Sequence, residues 1–242
     1  KHLKKYLNHN YNHNHNHNHN HNQIILSSNE INSGSTLPID RPLVIICRLE
    51  ELFKLIFHEL IHALSFDIKS DIRSVDIKLE SLLNIKPEFN NFEAYTEIWA
   101  NILNSYFISK MSFGKNELND TYRLFYDLIS YERLWAYIQC VKILKLTGFN
   151  FNTMKYDSPT NLNLETNVWA YYILRSMLYF NINKFILDMK KHNINRIDLN
   201  NDINYYNHYI LNIVNNTLYN KDYKEILEKI NLKKLNKLMN NN

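Results

Sequence analysis

Glycine is scarce in this chain, at three residues of 242, and it is joined by only four prolines and two cysteines. A fold of many short strands and tight turns needs Gly or Pro at its reversals, so their scarcity excludes one and leaves long helices as the body. Cys47 and Cys140 lie far apart and outside any Cys-x-x-Cys pair, which excludes a disulfide framework and a thiolate metal knuckle. That cysteine usage favours a reducing, intracellular compartment. A dominant charge is also missing: the net charge is +4, with lysines spread along the chain and no aromatic-interleaved basic face, which argues against a nucleic-acid partner. No charge-free apolar run is long enough to span a bilayer. The most apolar stretch, residues 43–64, carries Arg48, Glu50, Glu51, Lys54, His58, Glu59 and His62.

What is present divides the chain in two. Residues 1–22 end in an alternating Asn/His run with His13, His15, His17, His19 and His21. Such polarity predicts a disordered low-complexity tail, whose imidazoles would pick up Ni²⁺, Cu²⁺ or Zn²⁺ loosely. Residues 23–242 carry the apolar periodicity of one folded domain, with residues 23–115 holding a small sheet and two motif-bearing helices and residues 116–242 forming a helical subdomain. The fold class expected is α+β, predominantly α. Short apolar runs at 24–26 and 43–47 predict strands, separated by the turn-rich stretch 32–38. From Leu49 the period changes to that of a helix running to Asp67; a polar passage follows, and residues 92–108 read as a second helix. Further helices are expected over 119–146, 164–190, 205–214 and 223–239.

The first helix contains Phe57-His58-Glu59-Leu60-Ile61-His62, the pattern His-Glu-x-x-His. Residues four apart lie about 40° apart around the axis and one turn along it, so two imidazoles can converge on one ion, here Zn²⁺. Glu59, one step past the first histidine, then reaches a water near that ion without occupying a coordination position. The flanking Leu55, Ile56, Phe57, Leu60, Ile61, Ala63 and Leu64 make the helix apolar nearly all round and therefore buried. Two histidines and a glutamate in such a place cost about 1–3 kcal/mol each unless a cation or partner meets them. The second helix supplies Glu93 and Glu97, again four apart. One carboxylate can bind the ion and the other can accept the remaining ring N–H of a ligand histidine.

These two segments resemble the zincin metallopeptidases, and within them the gluzincin branch, in which the His-Glu-x-x-His helix is followed by a helix bearing Glu-x-x-x-Asp. The metzincin pattern fits worse, since Ser65 and Ile68 stand where it has Gly and His. The resemblance covers about residues 43–103. It implies a zincin-like fold, one Zn²⁺ held by His58, His62 and Glu93, Glu59 as general base, and Glu97 in the place of the Asp that orients the first histidine. Glu97 adds a methylene to that Asp, which leaves the two carboxylate roles exchangeable. The implied reaction is hydrolysis of a peptide or protein substrate, with an oxyanion donor from the C-terminal half; Tyr171, Tyr172 and His208 are the candidates. The resemblance also implies an edge strand beside the cleft, near 24–28, with 30–34 as a neighbouring loop. Two other readings stand beside it: a helical interaction protein that keeps a zinc site without catalysis, and a zinc hydrolase of non-peptide bonds.

Overall fold

The computed structural model describes residues 24–26, 33–37, 42–67, 73–84, 90–113, 117–150, 152, 155–156, 162–164, 167–191 and 203–230. The Asn/His tail, residues 30–32 of the loop and the end of the helix expected to 239 lie outside the described residues. The order is β1 (Ile24–Leu26), β2 (Gly34–Leu37), β3 (Leu43–Ile46), a 3₁₀ turn (Leu49–Glu51), α1 (Leu52–Ala63), α2 (Arg73–Leu83), α3 (Asn91–Ser112) and α4 (Leu118–Thr147). There follow β4 (Phe149–Asn150), β5 (Lys155–Tyr156), β6 (Leu162–Leu164), a π-helix (Trp169–Leu174), α5 (Arg175–Phe180), α6 (Ile182–Lys191), α7 (Ile203–Leu218) and α8 (Lys221–Lys229). The described chain is thus mainly helical with small two-stranded sheets. Among the described residues no helix is long and apolar enough to cross a membrane.

α1 is sandwiched. One side packs on α3, and the other carries the antiparallel β2–β3 hairpin, which pairs Gly34 with Ile46 and Leu37 with Leu43. The strand at 24–26 pairs in parallel with β6, the strands that pack on α1 are β2 and β3, and residues 27–28 of the expected edge strand lie outside the described residues.

The first helix ends earlier than its periodicity suggests. Phe66 N donates to the Ile61 carbonyl and Ser65 N to that of His62, the two bonds of a Schellman stop, with Ser65 in the left-handed region at φ 55°. The chain turns back sharply there and carries Asp67 into the interior.

The polar passage after it contains the unforeseen helix α2. Its Asp76 is buried and accepts hydrogen bonds from Asn91 N (3.1 Å) and Asn91 Nδ2 (2.8 Å), while Asn90 caps the same end by accepting from Phe92 N. The start of α3 is therefore held from two sides, and Glu93, in its first turn, sits where the helix dipole favours an anion.

The expected helix over 164–190 is broken into β6, the π-helix, α5 and α6, with Asn181 as the break. α4 ends at Gly148, whose φ of 64° is the left-handed cap that glycine supplies most easily. One apolar cluster runs from Val75 to Leu227 and includes Tyr95, Trp169, Tyr179, Tyr206 and Tyr223, all within 1% of full burial, so the two halves of the domain share a core. That shared core fixes the π-helix against α3 and α4.

Candidate metal centre

α1 and α3 bring the sequence motifs face to face. His58 Nε2 and His62 Nε2 lie 3.1 Å apart, and Glu93 Oε2 is 3.6 Å from each. An isosceles triangle with those edges has its centre about 2.0 Å from every corner, the length of a Zn–N or Zn–O bond at about 2.0–2.2 Å. His58, His62 and Glu93 are the group of potential ligands found among the described residues.

The far side of each imidazole faces a carboxylate. His62 Nδ1 is 2.5 Å from Asp67 Oδ2, which also accepts from Thr96 Oγ1 at 3.1 Å. His58 Nδ1 is 3.2 Å from Glu97 Oε2, an ion-pair distance at an angle too oblique for a good hydrogen bond. An acceptor at Nδ1 places the ring proton there and turns the Nε2 lone pair inward. Three electron-rich atoms then meet at one point, an arrangement that is repulsive unless positive charge lies between them.

The electrostatics carry the same message. Burial would lower the His62 pKa, but Asp67 and Glu93 outweigh it and hold it up at about 10. Burial likewise opposes the His58 cation and loses to Glu93 and Glu97, which raise its pKa. Against its own burial, Glu93 is held well below the usual carboxylate range by the two imidazoles. Glu97 is held down despite burial by Lys54, His58 and Arg175. The field of the carboxylates thus favours a cation at the rings.

The two carboxylates on α3 are now distinguishable. Glu93 faces both Nε2 atoms, whereas Glu97 faces the rear of His58 and takes Arg175 Nη1 at 2.6 Å and Lys54 Nζ at 3.0 Å on its other oxygen. The Glu93 and His62 side chains retain 16% and 19% exposure, so the triangle is not sealed from solvent.

Glu59 is buried on the neighbouring face of α1 under β2. Thr36 Oγ1 lies 2.7 Å from Glu59 Oε2 and 3.0 Å from the Glu59 carbonyl oxygen. Gly34 leaves the room the carboxyl needs: a Cβ there would sit 2.8 Å from Glu59 Oε1 and 3.0 Å from the backbone oxygen of Ile45. A glycine within a strand marks close approach of another group, which here is Glu59.

Of the three oxyanion candidates, Tyr171 reaches the site. Its phenol donates to Glu93 Oε2 at 2.7 Å and its ring stacks on His58 with centroids 6.4 Å apart. Burial, then the charge of Glu93, pushes its pKa well above the ordinary range, so it remains a donor. Tyr172 points elsewhere, its ring lying 5.9 Å from the Arg175 guanidinium carbon. His208 is exposed on α7, which packs against α2, α5 and α8. Tyr171 lies on the π-helix, an irregularity common at functional sites because it re-aims one side chain. Asp67, Thr36, Lys54 and Arg175 were not foreseen. A non-glycine helix stop hid Asp67, Thr36 and Arg175 come from elements distant in sequence, and Lys54, one turn before His58 on α1, shows its part only through its reach to Glu97 on α3.

No family model matches this chain, and no solved structure matches it. It is 31% identical over 173 residues to an uncharacterized protein of Acanthamoeba polyphaga mimivirus, a match covering 66% of this chain. The chain spans 44% of the length of that relative.

Proposed function

We propose that this chain is a zinc-dependent metallopeptidase of the zincin type, with His58, His62 and Glu93 holding one Zn²⁺ and Glu59 as general base. The observation that carries the reading is the convergence of two imidazole Nε2 atoms and one carboxylate oxygen about a point some 2 Å from each, every imidazole backed by a carboxylate. A structural zinc site ordinarily closes its fourth position with Cys or His; a group of three potential ligands, with Glu93 and His62 partly exposed, and the acid between the two histidines favour catalysis. Peptide as the substrate class follows from the resemblance of the two motifs to gluzincins.

Zinc bound there supplies Lewis acidity, which brings a water's pKa toward neutrality and polarises the scissile carbonyl. Glu59 takes the proton of the attacking water and returns it to the leaving amine. The hydroxyl of Thr36 and the gap at Gly34 fix the direction in which its carboxyl points. Tyr171, whose phenol donates to Glu93 Oε2, would turn that donor to the developing oxyanion. Asp67 holds the His62 proton on Nδ1 by a hydrogen bond, and the charge of Glu97 behind His58 favours the same tautomer there.

The test combines zinc content by elemental analysis with cleavage of a peptide library by wild type and Glu59→Gln. Zinc retained in both, with cleavage falling about 10²–10⁴-fold in the variant, is the expected result. Zinc without Glu59-dependent cleavage of peptides would favour the interaction protein, and Glu59-dependent turnover of esters alone would favour a non-peptide hydrolase.

A further inference from the structure

Glu93 and Glu97 stand four residues apart on α3, and Tyr171 and Arg175 stand four apart on the π-helix and the start of α5. The two rows meet rung by rung, Tyr171 Oη on Glu93 Oε2 at 2.7 Å and Arg175 Nη1 on Glu97 Oε1 at 2.6 Å. Lys54 Nζ, from α1, reaches the same Glu97 Oε1 at 3.0 Å, which leaves Oε2 for His58 Nδ1. Arg175 is only 6% exposed. Burying a guanidinium seldom adds stability over an apolar side chain of similar size, so its presence here asks for another role. Glutamate itself suggests one, because its terminal torsion is broad, and an unclamped carboxylate would wander between rotations that do and do not meet the ring.

We infer that Arg175, assisted by Lys54, is a positioning residue for the metal centre. By pinning Glu97 Oε1, the pair fixes Oε2 behind His58 and so holds that imidazole with Nε2 toward the ion. The same clamp accommodates a glutamate, with its additional methylene, where the resemblance implies an aspartate. The inference rests on the metal-centre reading above and adds to it a cationic clamp reaching in from α1 and α5.

The experiment uses the full chain stripped of metal, with the affinity of its tightest Zn²⁺ equivalent read by competition against a chromophoric chelator and the fold checked by circular dichroism. Arg175→Met should weaken that equivalent by about 10–100-fold, Lys54→Met by less, and Arg175→Lys should recover part of the loss. Glu97→Gln should weaken it to a similar extent, and Arg175→Met added to Glu97→Gln should cost nothing further. Unchanged affinity in a folded Arg175→Met chain, or an equal loss whether or not Glu97 is present, would overturn the inference. Should Arg175→Met not fold, Arg175→Lys and Lys54→Met, each with and without Glu97→Gln, decide by the same criteria. A wild-type chain with no tight equivalent would overturn the metal-centre reading itself, and the clamp with it.

Discussion

Cys140, Ser176 and Tyr223 form a buried polar cluster between α4, α5 and α8, whereas His58, His62 and Glu93 form another between α1 and α3. In the first, Ser176 Oγ lies 2.5 Å and Cys140 Sγ 3.6 Å from the Tyr223 hydroxyl. Every member can both donate and accept, so the cluster closes on itself, and burial pushes the Cys140 thiol up to about 11 and the Tyr223 phenol higher than usual, keeping both neutral. In the second, burial is defeated. The carboxylates stay ionised and the imidazoles are pulled toward positive charge, so opposite charges gather about one point. A cluster that satisfies itself contributes to holding the fold; the other could hold a metal ion.

The sharpest way to break the contrast is at Tyr171. In Tyr171→Phe the catalytic constant should fall about 10²–10³-fold, with KM and zinc content nearly unchanged, if the phenol serves the transition state. A loss confined to KM would make it a substrate contact instead. Next in size is Asp67→Asn, which keeps the shape and removes the charge behind His62; zinc affinity should drop about 10–100-fold by chelator competition. An unaltered affinity would place Asp67 among ordinary helix-stop residues.

The effect of pH distinguishes the clusters further. The His62 pKa is raised from 6.5 to about 10 in the fold, so without metal its contribution to stability is fully present below 6.5 and is lost as pH rises through about 10. Zinc displaces the protons in question, so its stabilisation must grow over the same window. The melting temperature with zinc minus that with chelator should widen from about pH 6 to about pH 8.5; a difference that stays flat or narrows would contradict proton displacement at His62. The smallest effect belongs to the closed cluster. Tyr223→Phe removes one hydroxyl while Ser176 keeps its bond to the Ile173 carbonyl, so stability in urea should fall by about 1 kcal/mol with zinc affinity unchanged. A change in zinc affinity would show that the two clusters are coupled.

The grouping of residues at the candidate site was largely legible in the sequence, because His-Glu-x-x-His and Glu-x-x-x-Glu are local patterns whose helical spacing dictates which side chains share a face. The helical bulk was legible for the same reason, through its periodicity and the shortage of Gly and Pro. What escaped is instructive. β2 reads as a turn because Gly34 and Ser35 have little strand propensity and Pro38 follows at once, yet Gly34 and Thr36 seat Glu59: one by lacking a side chain, the other by donating to it. Asp67 escaped because the helix stops on Ser65 and not on a glycine. α2 escaped because polar residues such as Arg73, Ser74 and Lys78 interrupt its apolar pattern and only Val75, Asp76, Leu79 and Leu83 are buried. The choice between Glu93 and Glu97 rests on distances across α1, α3 and α5, which no spacing along one helix can supply.

The central claim is that one cation is bound by His58, His62 and Glu93 together. Because the alternating histidines 13–21 can also take up metal weakly, the decisive measurement is zinc retained per chain after dialysis against a weak chelator, in wild type beside His58→Ala and Glu93→Ala. One equivalent in wild type and essentially none in either variant is the result expected. No retained zinc in wild type, or the same equivalent in all three chains, would contradict the account.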